Sequence, residues 1–267
     1  MSSPIALITG GSTGIGLALS KLLKQKGYHV YSVSRNPDRV PVSDCFTPLK
    51  LNLLETDKIS DFVESFCTVH GVPDILINNA GCGAFFEWDQ FPLHEINSQI
   101  NLLFTAPAIL CRYFAPRMSK EQKGTILNLS SLATLYPLPF MPMYNAGKSA
   151  LSSFTQSMML EYSHHPKFID FRMGDVRTEF NQAASKQEEI NLSENATHAW
   201  KQIEKQLSES ISPQVAANQI WGSILRGKST TCHGGTFFHA SMLVWFAKVL
   251  PKNWSTKLIK WWYRMFC

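Results

Sequence analysis

Short apolar segments alternate with helix-like segments along the first 180 residues, and this alternation constrains the fold more than any other feature. The strand-like segments are residues 5–9, 29–34, 47–52, 74–79, 125–131 and 168–174. Strands separated by helices form a parallel sheet with helices on both faces. Such a sheet binds its ligands at the carboxyl ends of the strands. The pattern therefore predicts an α/β fold: a doubly wound parallel sheet in three layers, α/β/α.

A glycine-rich turn joins the first strand to the first helix. The turn reads "TGGSTGIG" (9–16). A glycine cluster is usually just a turn, but this one stands between a strand and a helix, where glycines allow the backbone to approach a phosphate. The helix N-terminus then offers unpaired N–H groups to a pyrophosphate. The turn predicts a Rossmann-type dinucleotide site that includes Gly10, Ser12, Thr13, Gly14, Ile15 and Gly16.

The second strand ends in Ser34 and Arg35, where an acidic residue would select NAD. An arginine can instead pair with the 2′-phosphate of NADP. The alternative is a solvated arginine at a strand end. We expect NADP(H) to be the cofactor, with Ser34 and Arg35 at its ribose.

Tyr144 stands four residues before Lys148, so the two share one face of a helix. A nearby positive charge favours phenolate, so Lys148 is expected to lower the pKa of Tyr144 from its usual value of about 10. Tyr144 would then suit general acid/base catalysis. Taken alone, the pair is better interpreted as an ordinary surface contact, because two residues at one spacing often occur by chance.

Four motifs together resemble the short-chain dehydrogenase/reductase family over roughly residues 5–180: "TGGSTGIG", "NNAG" (78–81), "NLSS" (128–131) and "YNAGK" (144–148). The resemblance implies a carbonyl reductase or alcohol dehydrogenase. Tyr144 would exchange the proton with the substrate oxygen, Lys148 would hold the nicotinamide ribose, and Ser131 would stabilise the developing charge. Asn101, in "INLLFTAP" (100–107), would position a water in the proton relay.

The resemblance also implies further cofactor contacts and no metal. Asn79, Ala80 and Gly81 would line the adenine side. Asn52 stands where many members have an aspartate. The family's Pro-Gly after the sixth strand is Met173-Gly174 here. The expected contacts on that side are Gly174, Val176 and Thr178.

The 267 residues suit one large α/β domain. We assign residues 1–228 to the dinucleotide-binding and catalytic domain, and 229–267 to an apolar, basic C-terminal extension. The six cysteines are scattered and no secretory signal is recognised, so a cytoplasmic protein with reduced thiols is expected. The family usually forms homodimers or homotetramers.

The extension carries an unusual charge pattern. No Asp or Glu follows Glu209, while seven basic residues do. After Pro251, with Asn253 as its expected cap, a helix would place Trp254, Leu258, Trp261, Trp262 and Met265 on one side, and Lys257, Lys260 and Arg264 on another. A basic, Trp-rich amphipathic helix indicates a peripheral membrane anchor. The alternative is a helix that packs on the core, as a substrate lid, or on a second subunit.

The sequence therefore predicts an NADP(H)-dependent oxidoreductase that interconverts a carbonyl and an alcohol, with a hydrophobic small-molecule substrate. No nucleic-acid partner is expected. The competing hypothesis is a non-catalytic dinucleotide-binding redox sensor or scaffold. The complete set of Asn101, Ser131, Tyr144 and Lys148 argues against it, because a sensor needs no proton relay.

Overall fold

The computed structural model describes residues 3–39, 42–180, 184–188 and 192–263. A seven-stranded parallel sheet forms its centre. The strands of this sheet are β1 (Ile5–Thr9), β2 (His29–Ser34), β3 (Phe46–Lys50), β4 (Ile75–Asn78), β6 (Thr125–Ser131), β7 (Lys167–Met173) and β9 (Thr230–Gly234). Their order is β3-β2-β1-β4-β6-β7-β9, which confirms the doubly wound parallel sheet. Two short strands, β5 (Ala84–Phe85) and β8 (Ser185–Lys186), form a separate pair.

The strand order reverses between β1 and β4, and this reversal creates the binding crevice. From β1 the chain moves outward through β2 to β3, then returns to β4 on the other side. Leu7 of β1 pairs in register with Tyr31 and Leu76, at the middle of the sheet. The turn after β1 and the turn after β4 therefore face each other across a switch point, where ligands bind in open α/β sheets.

Helices cover both faces of the sheet. On one face α1 (Gly14–Gln25) and α7 (Pro213–Leu225) pack on the sheet and on each other. On the other face lie α2 (Ile59–His70), α4 (Ala106–Lys120) and α5 (Pro142–Glu161). Strands covered on both faces need near-continuous apolar sequence, which is what "IALIT" and "ILIN" provide.

A long helix before β6 is interrupted by a π turn. Helix α3 (Leu93–Ile100) continues through the π turn Asn101–Thr105 into α4, so residues 93–120 form one rod. This rod fills the helix-like segment expected between the strand-like segments 74–79 and 125–131. Pro107 has no amide proton for the carbonyl of Leu103, which favours the wider turn at this place.

Strand β9 corrects the predicted domain boundary. Residues 230–234 pair in parallel with β7, from Ile169↔Thr230 to Met173↔Gly234. The sheet therefore continues beyond residue 228, and these residues belong to the Rossmann domain rather than to the extension. The sequence "TTCHG" lacks an apolar run because β9 lies at the edge of the sheet.

Three helical segments follow β9: a π turn (Phe238–Leu243), α8 (Val244–Val249) and α9 (Lys252–Trp262). Helix α9 begins after Pro251, whose carbonyl accepts from the amides of Trp254 and Ser255, so the expected capping role of Asn253 is wrong. Arg264 and Met265 lie outside the described residues. Within the described ranges, every helix is too short or too polar to cross a membrane.

Candidate active site

The glycine-rich turn after β1 is held in place by the "NNAG" turn after β4. The Thr9 hydroxyl accepts from the backbone amides of Asn79 and Ala80, both at 3.0 Å. The Asn79 side-chain amide donates to the carbonyls of Thr9 (2.9 Å) and Gly10 (3.2 Å). Asn79 is expected from the sequence near the adenine. In the structure its side-chain amide protons are engaged in fixing the glycine-rich turn.

Two glycines of this turn cannot carry a side chain. Gly10 has φ +67°, in the left-handed region. A Cβ on Gly16 would lie 2.1 Å from the Gly10 carbonyl oxygen and 2.6 Å from the Asn79 amide nitrogen. The backbone is thus folded tightly on itself at the start of α1, which leaves the amides of the first helical turn uncovered for an anion.

The turn after β7 meets the glycine turn. A Cβ on Gly14 would lie 3.3 Å from Cγ2 of Thr178, so two predicted cofactor residues come together. The Gly174 amide donates to the Gly234 carbonyl at 2.9 Å. Val176 is buried in the core beside α7, so only its backbone remains for the predicted cofactor contact.

The predicted ribose contacts lie at the end of β2. The Ser34 hydroxyl oxygen is buried and has no hydrogen-bond partner among the described residues. Arg35 is exposed and forms no ion pair with any residue in the described ranges. The positive charge of Arg35 acts on the Cys82 thiol, and Cys82 lies beside Tyr144 and Lys148. The Arg35 guanidinium therefore borders the same crevice as these two residues.

Asn52 is already engaged by its own loop. Its amide donates to the Glu55 carboxylate at 2.9 Å, and its carbonyl accepts from the Leu54 amide at 3.2 Å. By contrast, the glycine cradle and the unpartnered Ser34 hydroxyl fit a dinucleotide phosphate and ribose. Gly10, Ser12, Thr13, Gly14, Ile15 and Gly16 would hold the pyrophosphate there.

Ser131 and Tyr144 meet at the carboxyl end of β6. Ser131 is the last residue of β6, and its hydroxyl accepts from the Ala133 amide at 3.1 Å. Tyr144 lies in the first turn of α5, beside Ser131 and in edge-to-face contact with Phe180, with 5.7 Å between the two ring centroids. The Ser131 hydroxyl and the Tyr144 phenol therefore lie close together, where one substrate oxygen could accept a hydrogen bond from each of them.

Lys148 lies one turn further along α5 and is 5% exposed. Its ammonium donates to the Leu129 carbonyl at 2.6 Å, and a Cβ on Gly81 would lie 3.6 Å from its nitrogen. Burial lowers the pKa of Lys148 to about 8, and the neighbouring Cys82 and Asp170 oppose this shift. Lys148 thus stands between the catalytic tyrosine and the "NNAG" turn.

The expected lowering of the Tyr144 pKa is wrong for the protein by itself. Burial raises the pKa of Tyr144 to about 12; the hydrogen bond from Ser131 opposes the shift and the nearby Asp175 adds to it. Position on one helix face produces no hydrogen bond between the two side chains in the described structure; the Lys148 ammonium donates to the Leu129 carbonyl.

Asn101 is the first residue of the π turn, a conformation frequent at functional sites. The turn packs on α5 through Leu103, whose side chain lies 2.8 Å from where a Cβ on Gly147 would stand. Asn101 therefore lies on the π turn that borders α5, as its expected role in the proton relay requires.

A buried carboxylate that sequence reasoning missed supports the catalytic elements. Asp170 of β7 is 0% exposed and accepts from the hydroxyl of Ser130, from Ser152 (2.7 Å) and from Arg172 (3.0 Å). Ser130 precedes Ser131, and Ser152 follows Lys148 by one turn. Asp170 thus joins β6 to α5 behind the site. The sequence signal that could have indicated this buried carboxylate is an aspartate inside the apolar strand "FIDFRM".

Apolar side chains pack around Tyr144. The cluster beside the phenol contains Phe85, Met141, Trp200, Phe180 and Tyr263. Met143, the residue before Tyr144 in the first turn of α5, packs in a second cluster with Phe86, Phe91 and Ile96. A substrate that reaches the phenol is therefore flanked by apolar walls. The sequence did not indicate the contributions of Trp200 and Tyr263.

Comparison with known proteins agrees with this geometry. The family model "short chain dehydrogenase" matches residues 4–189. An uncharacterized oxidoreductase of Schizosaccharomyces pombe is 35% identical over 157 residues, 58% of this chain and 54% of that protein. A 3-ketodihydrosphingosine reductase of Bacteroides thetaiotaomicron is 31% identical over 184 residues, 67% of this chain and 66% of that protein. The chain thus spans between half and two thirds of these two relatives.

Solved structures share the fold over nearly the whole chain. A short-chain dehydrogenase from Streptomyces avermitilis superposes with a TM-score of 0.81 at 21% identity, covering 97% of this chain and 96% of that one. A serine dehydrogenase complexed with NADP+ has a TM-score of 0.73 at 18% identity (86% and 94% covered). A 4-hydroxyisoleucine dehydrogenase complexed with NADH has a TM-score of 0.71 at 24% identity (88% and 98% covered).

Proposed function

This chain belongs to the short-chain dehydrogenase family, and we propose that it is an NADP(H)-dependent oxidoreductase that reduces the carbonyl of a hydrophobic, lipid-like substrate to an alcohol. The observation that carries the proposal is the convergence of Ser131, Tyr144 and Lys148 beside the glycine cradle. A protein that only sensed a dinucleotide would need the cradle but not a phenol and a serine aimed at one point.

Each of these residues has a defined task in the proposed reaction. The Ser131 hydroxyl donates to the substrate oxygen as negative charge develops there. The Tyr144 phenol transfers its proton to that oxygen and completes the alcohol. The buried Lys148 ammonium, held on the Leu129 carbonyl beside the "NNAG" turn, would bind the nicotinamide ribose. Bound NADPH would supply the hydride that reduces the carbonyl carbon, and would leave as NADP+.

The preference for NADP(H) rests on Arg35. The guanidinium is exposed beside the buried, unpartnered Ser34 hydroxyl, and no acidic side chain occupies the end of β2. A 2′-phosphate would receive a charge-assisted contact there. The fold alone does not determine which cofactor is preferred, because one similar structure holds NADP+ and another holds NADH.

The apolar surroundings of Tyr144 support a hydrophobic substrate. The clusters around Phe85 and Phe86 leave mainly aromatic and aliphatic side chains next to the phenol. One relative is a 3-ketodihydrosphingosine reductase, which agrees with a carbonyl on a lipid chain. Each methylene that the pocket covers should add about 0.8 kcal/mol of binding.

A homologous series of ketones tests this proposal. NADPH oxidation is followed with 2-alkanones and β-keto esters of increasing chain length, and each reaction is repeated with NADH. We expect kcat/KM to rise about three- to fourfold per methylene until the pocket is filled, and NADPH to be preferred. NADPH binding without turnover of any carbonyl would favour the sensor or scaffold hypothesis. A preference for NADH would overturn the role of Arg35.

We also propose that the protein is a cytoplasmic homodimer or homotetramer, peripheral to a membrane. Among the described residues five cysteines are free thiols, which agrees with a reducing compartment. Leu160 of α5 is 87% exposed, on a helix whose inner face is already packed, and a second subunit would cover it. Light scattering at several protein concentrations checks the oligomeric state.

A further inference from the structure

Helix α9 is anchored through one face only. On the inner face, Tyr263 is 7% exposed and packs with Ile259, Trp200 and Met141. The Tyr263 hydroxyl donates to the Gln206 side-chain carbonyl at 3.3 Å. Asp175 acts electrostatically on both Tyr263 and Tyr144, so the end of α9 lies close to the catalytic phenol. The position of the helix on the protein is therefore fixed.

The opposite face of α9 is apolar and uncovered. Trp254, Leu258, Trp261 and Trp262 are 65, 49, 63 and 46% exposed. The alternative that this face packs on the chain's own core is therefore wrong. Contiguous apolar patches of this kind are rare on monomeric soluble proteins and mark an interaction surface.

Helix α8 also exposes apolar side chains. Trp245 and Val249 are both 58% exposed, while Val244 is buried beneath them. The segment is held to the loop after β6 by the Tyr136 hydroxyl, which donates to the Leu243 carbonyl at 2.8 Å. We name Trp245, Val249, Trp254, Leu258, Trp261 and Trp262 the C-terminal apolar face.

The charges carried by α8 and α9 themselves are of one sign. Lys248, Lys257 and Lys260 are exposed on the same helices, and no acidic residue follows Glu209 in the sequence. A second copy related by a two-fold axis would bring these lysines against their own equivalents, which is unfavourable. An anionic bilayer presents the opposite charge. Its headgroup layer is also where amphipathic tryptophan rings are enriched.

We propose that the C-terminal apolar face binds the surface of an anionic lipid bilayer. The tryptophan rings lie at headgroup level and the three lysines face anionic headgroups, in the manner of an interfacial helix. Because the inner face of α9 touches the cluster around Tyr144, binding places the catalytic pocket next to the lipid. That last consequence rests on the proposed function, whereas the binding itself does not.

Vesicle sedimentation with the full-length protein tests the proposal. Vesicles are phosphatidylcholine alone or phosphatidylcholine with about 30 mol% phosphatidylserine. We expect binding to the anionic vesicles, weaker binding as salt is raised, and little binding to phosphatidylcholine alone, because exposed charges are screened within about 10 Å at 0.1 M salt. Equal binding to both vesicles, or to neither, would overturn the proposal.

Matched variants separate the two contributions. Lys257→Gln with Lys260→Gln should weaken binding about 25-fold, at roughly fivefold per lysine. Lys21→Gln with Lys26→Gln, which changes one exposed lysine in α1 and one directly after it, should change little. Trp254→Ser with Trp261→Ser should reduce binding more than tenfold. Trp88→Ser, 62% exposed elsewhere, should not.

The same variants report on the competing occupant. NADPH affinity verifies that each variant is folded, and it does so independently of turnover. If the tryptophan variants dissociate an oligomer while wild-type protein ignores anionic vesicles, the C-terminal apolar face binds a second copy and the proposal is wrong. Failure of the ketone series with intact vesicle binding would remove only the proposed reaction.

Discussion

The glycine turn after β1 and the helix α9 differ in how far each is completed within the chain. In the turn, the inward polar groups are paired: Thr9 accepts two amides, and Asn79 donates to two carbonyls. In α9, three tryptophans and a leucine face solvent without partners in the described structure. The turn needs nothing outside the protein to keep its shape. The outer face of α9, by contrast, would be removed from water only by a partner outside the chain.

This difference predicts that substitutions in the two regions affect separate measurements. Changes at the crevice should alter catalysis, cofactor affinity or the free energy of unfolding. Changes on the outer face of α9 should alter only association. A variant that violates this separation would show that the two regions are coupled more tightly than their contacts indicate.

The largest effect is expected for Tyr144→Phe. Loss of the proton donor should lower kcat by about 10²- to 10⁴-fold, while NADPH affinity and vesicle binding stay within about twofold. Steady-state kinetics and a cofactor fluorescence titration measure these quantities. Turnover close to that of the wild type would reject Tyr144 as the acid.

Gly16→Ala should come next. The added Cβ would lie 2.1 Å from the Gly10 carbonyl oxygen, so the turn must open. We expect the free energy of unfolding to fall by about 3 kcal/mol, with a clear loss of NADPH affinity. Gly222→Ala, in α7 with no heavy atom within 4 Å of its Cβ position, is the control. It should raise stability by up to about 1 kcal/mol. Equal behaviour of the two variants would contradict the steric argument.

Arg35→Ala should reduce the preference for NADPH over NADH by roughly 10- to 150-fold, the equivalent of a charge-assisted contact worth about 1.5–3 kcal/mol. Arg39→Ala, another exposed arginine four residues along, should leave the preference unchanged. Dissociation constants for both cofactors provide the comparison. An Arg35→Ala protein that keeps the wild-type preference would remove this residue from the phosphate site.

Lys148→Met should reveal the cost of a buried ammonium. The folded pKa of Lys148, about 8, lies below its ordinary value of 10.5, so folding favours the neutral form and the stability cost grows as pH falls from 10.5 towards 8. Wild-type protein should therefore gain about 2 kcal/mol relative to Lys148→Met between pH 8 and pH 10. Urea unfolding at both pH values tests this. A constant difference would mean that Lys148 is well solvated.

The smallest effect is expected on the outer face. Trp261→Ser should change the free energy of unfolding by less than about 0.5 kcal/mol, because the side chain is 63% exposed. Trp200→Ser, at a side chain only 5% exposed, should cost about 3–5 kcal/mol. Chemical denaturation of both variants and of the wild type measures the two changes in the free energy of unfolding. A large loss for Trp261→Ser would mean that α9 is covered in solution by a further copy.

The sequence predicted the crevice better than its surroundings. Strands 29–34 and 125–131 and the glycine turn lie where expected, because buried strands and tight turns require particular residue types. The edge strand β9 was missed, since one exposed side removes the need for an apolar run. The π turn at Asn101 was missed because it depends on a single absent amide, at Pro107.

The electrostatics of the site could not be obtained from spacing. The i, i+4 relation placed Tyr144 and Lys148 on one face, but the partner of the ammonium is a carbonyl of β6, which only the tertiary structure supplies. Asp170 is a similar case: its three partners come from β6, α5 and β7. The division of α9 into an anchored and an uncovered face likewise depends on which residues meet Trp200.

The high pKa of Tyr144 has a consequence for the direction of the reaction. With a pKa of about 12, on the order of one phenol in 10⁵ is ionised at pH 7 in the protein alone. Nearly every molecule therefore holds the proton that carbonyl reduction consumes, and almost none holds the phenolate that alcohol oxidation requires. In the protein alone the phenol is therefore ready to donate its proton, and alcohol oxidation first requires a positive charge close enough to the phenol to lower its pKa.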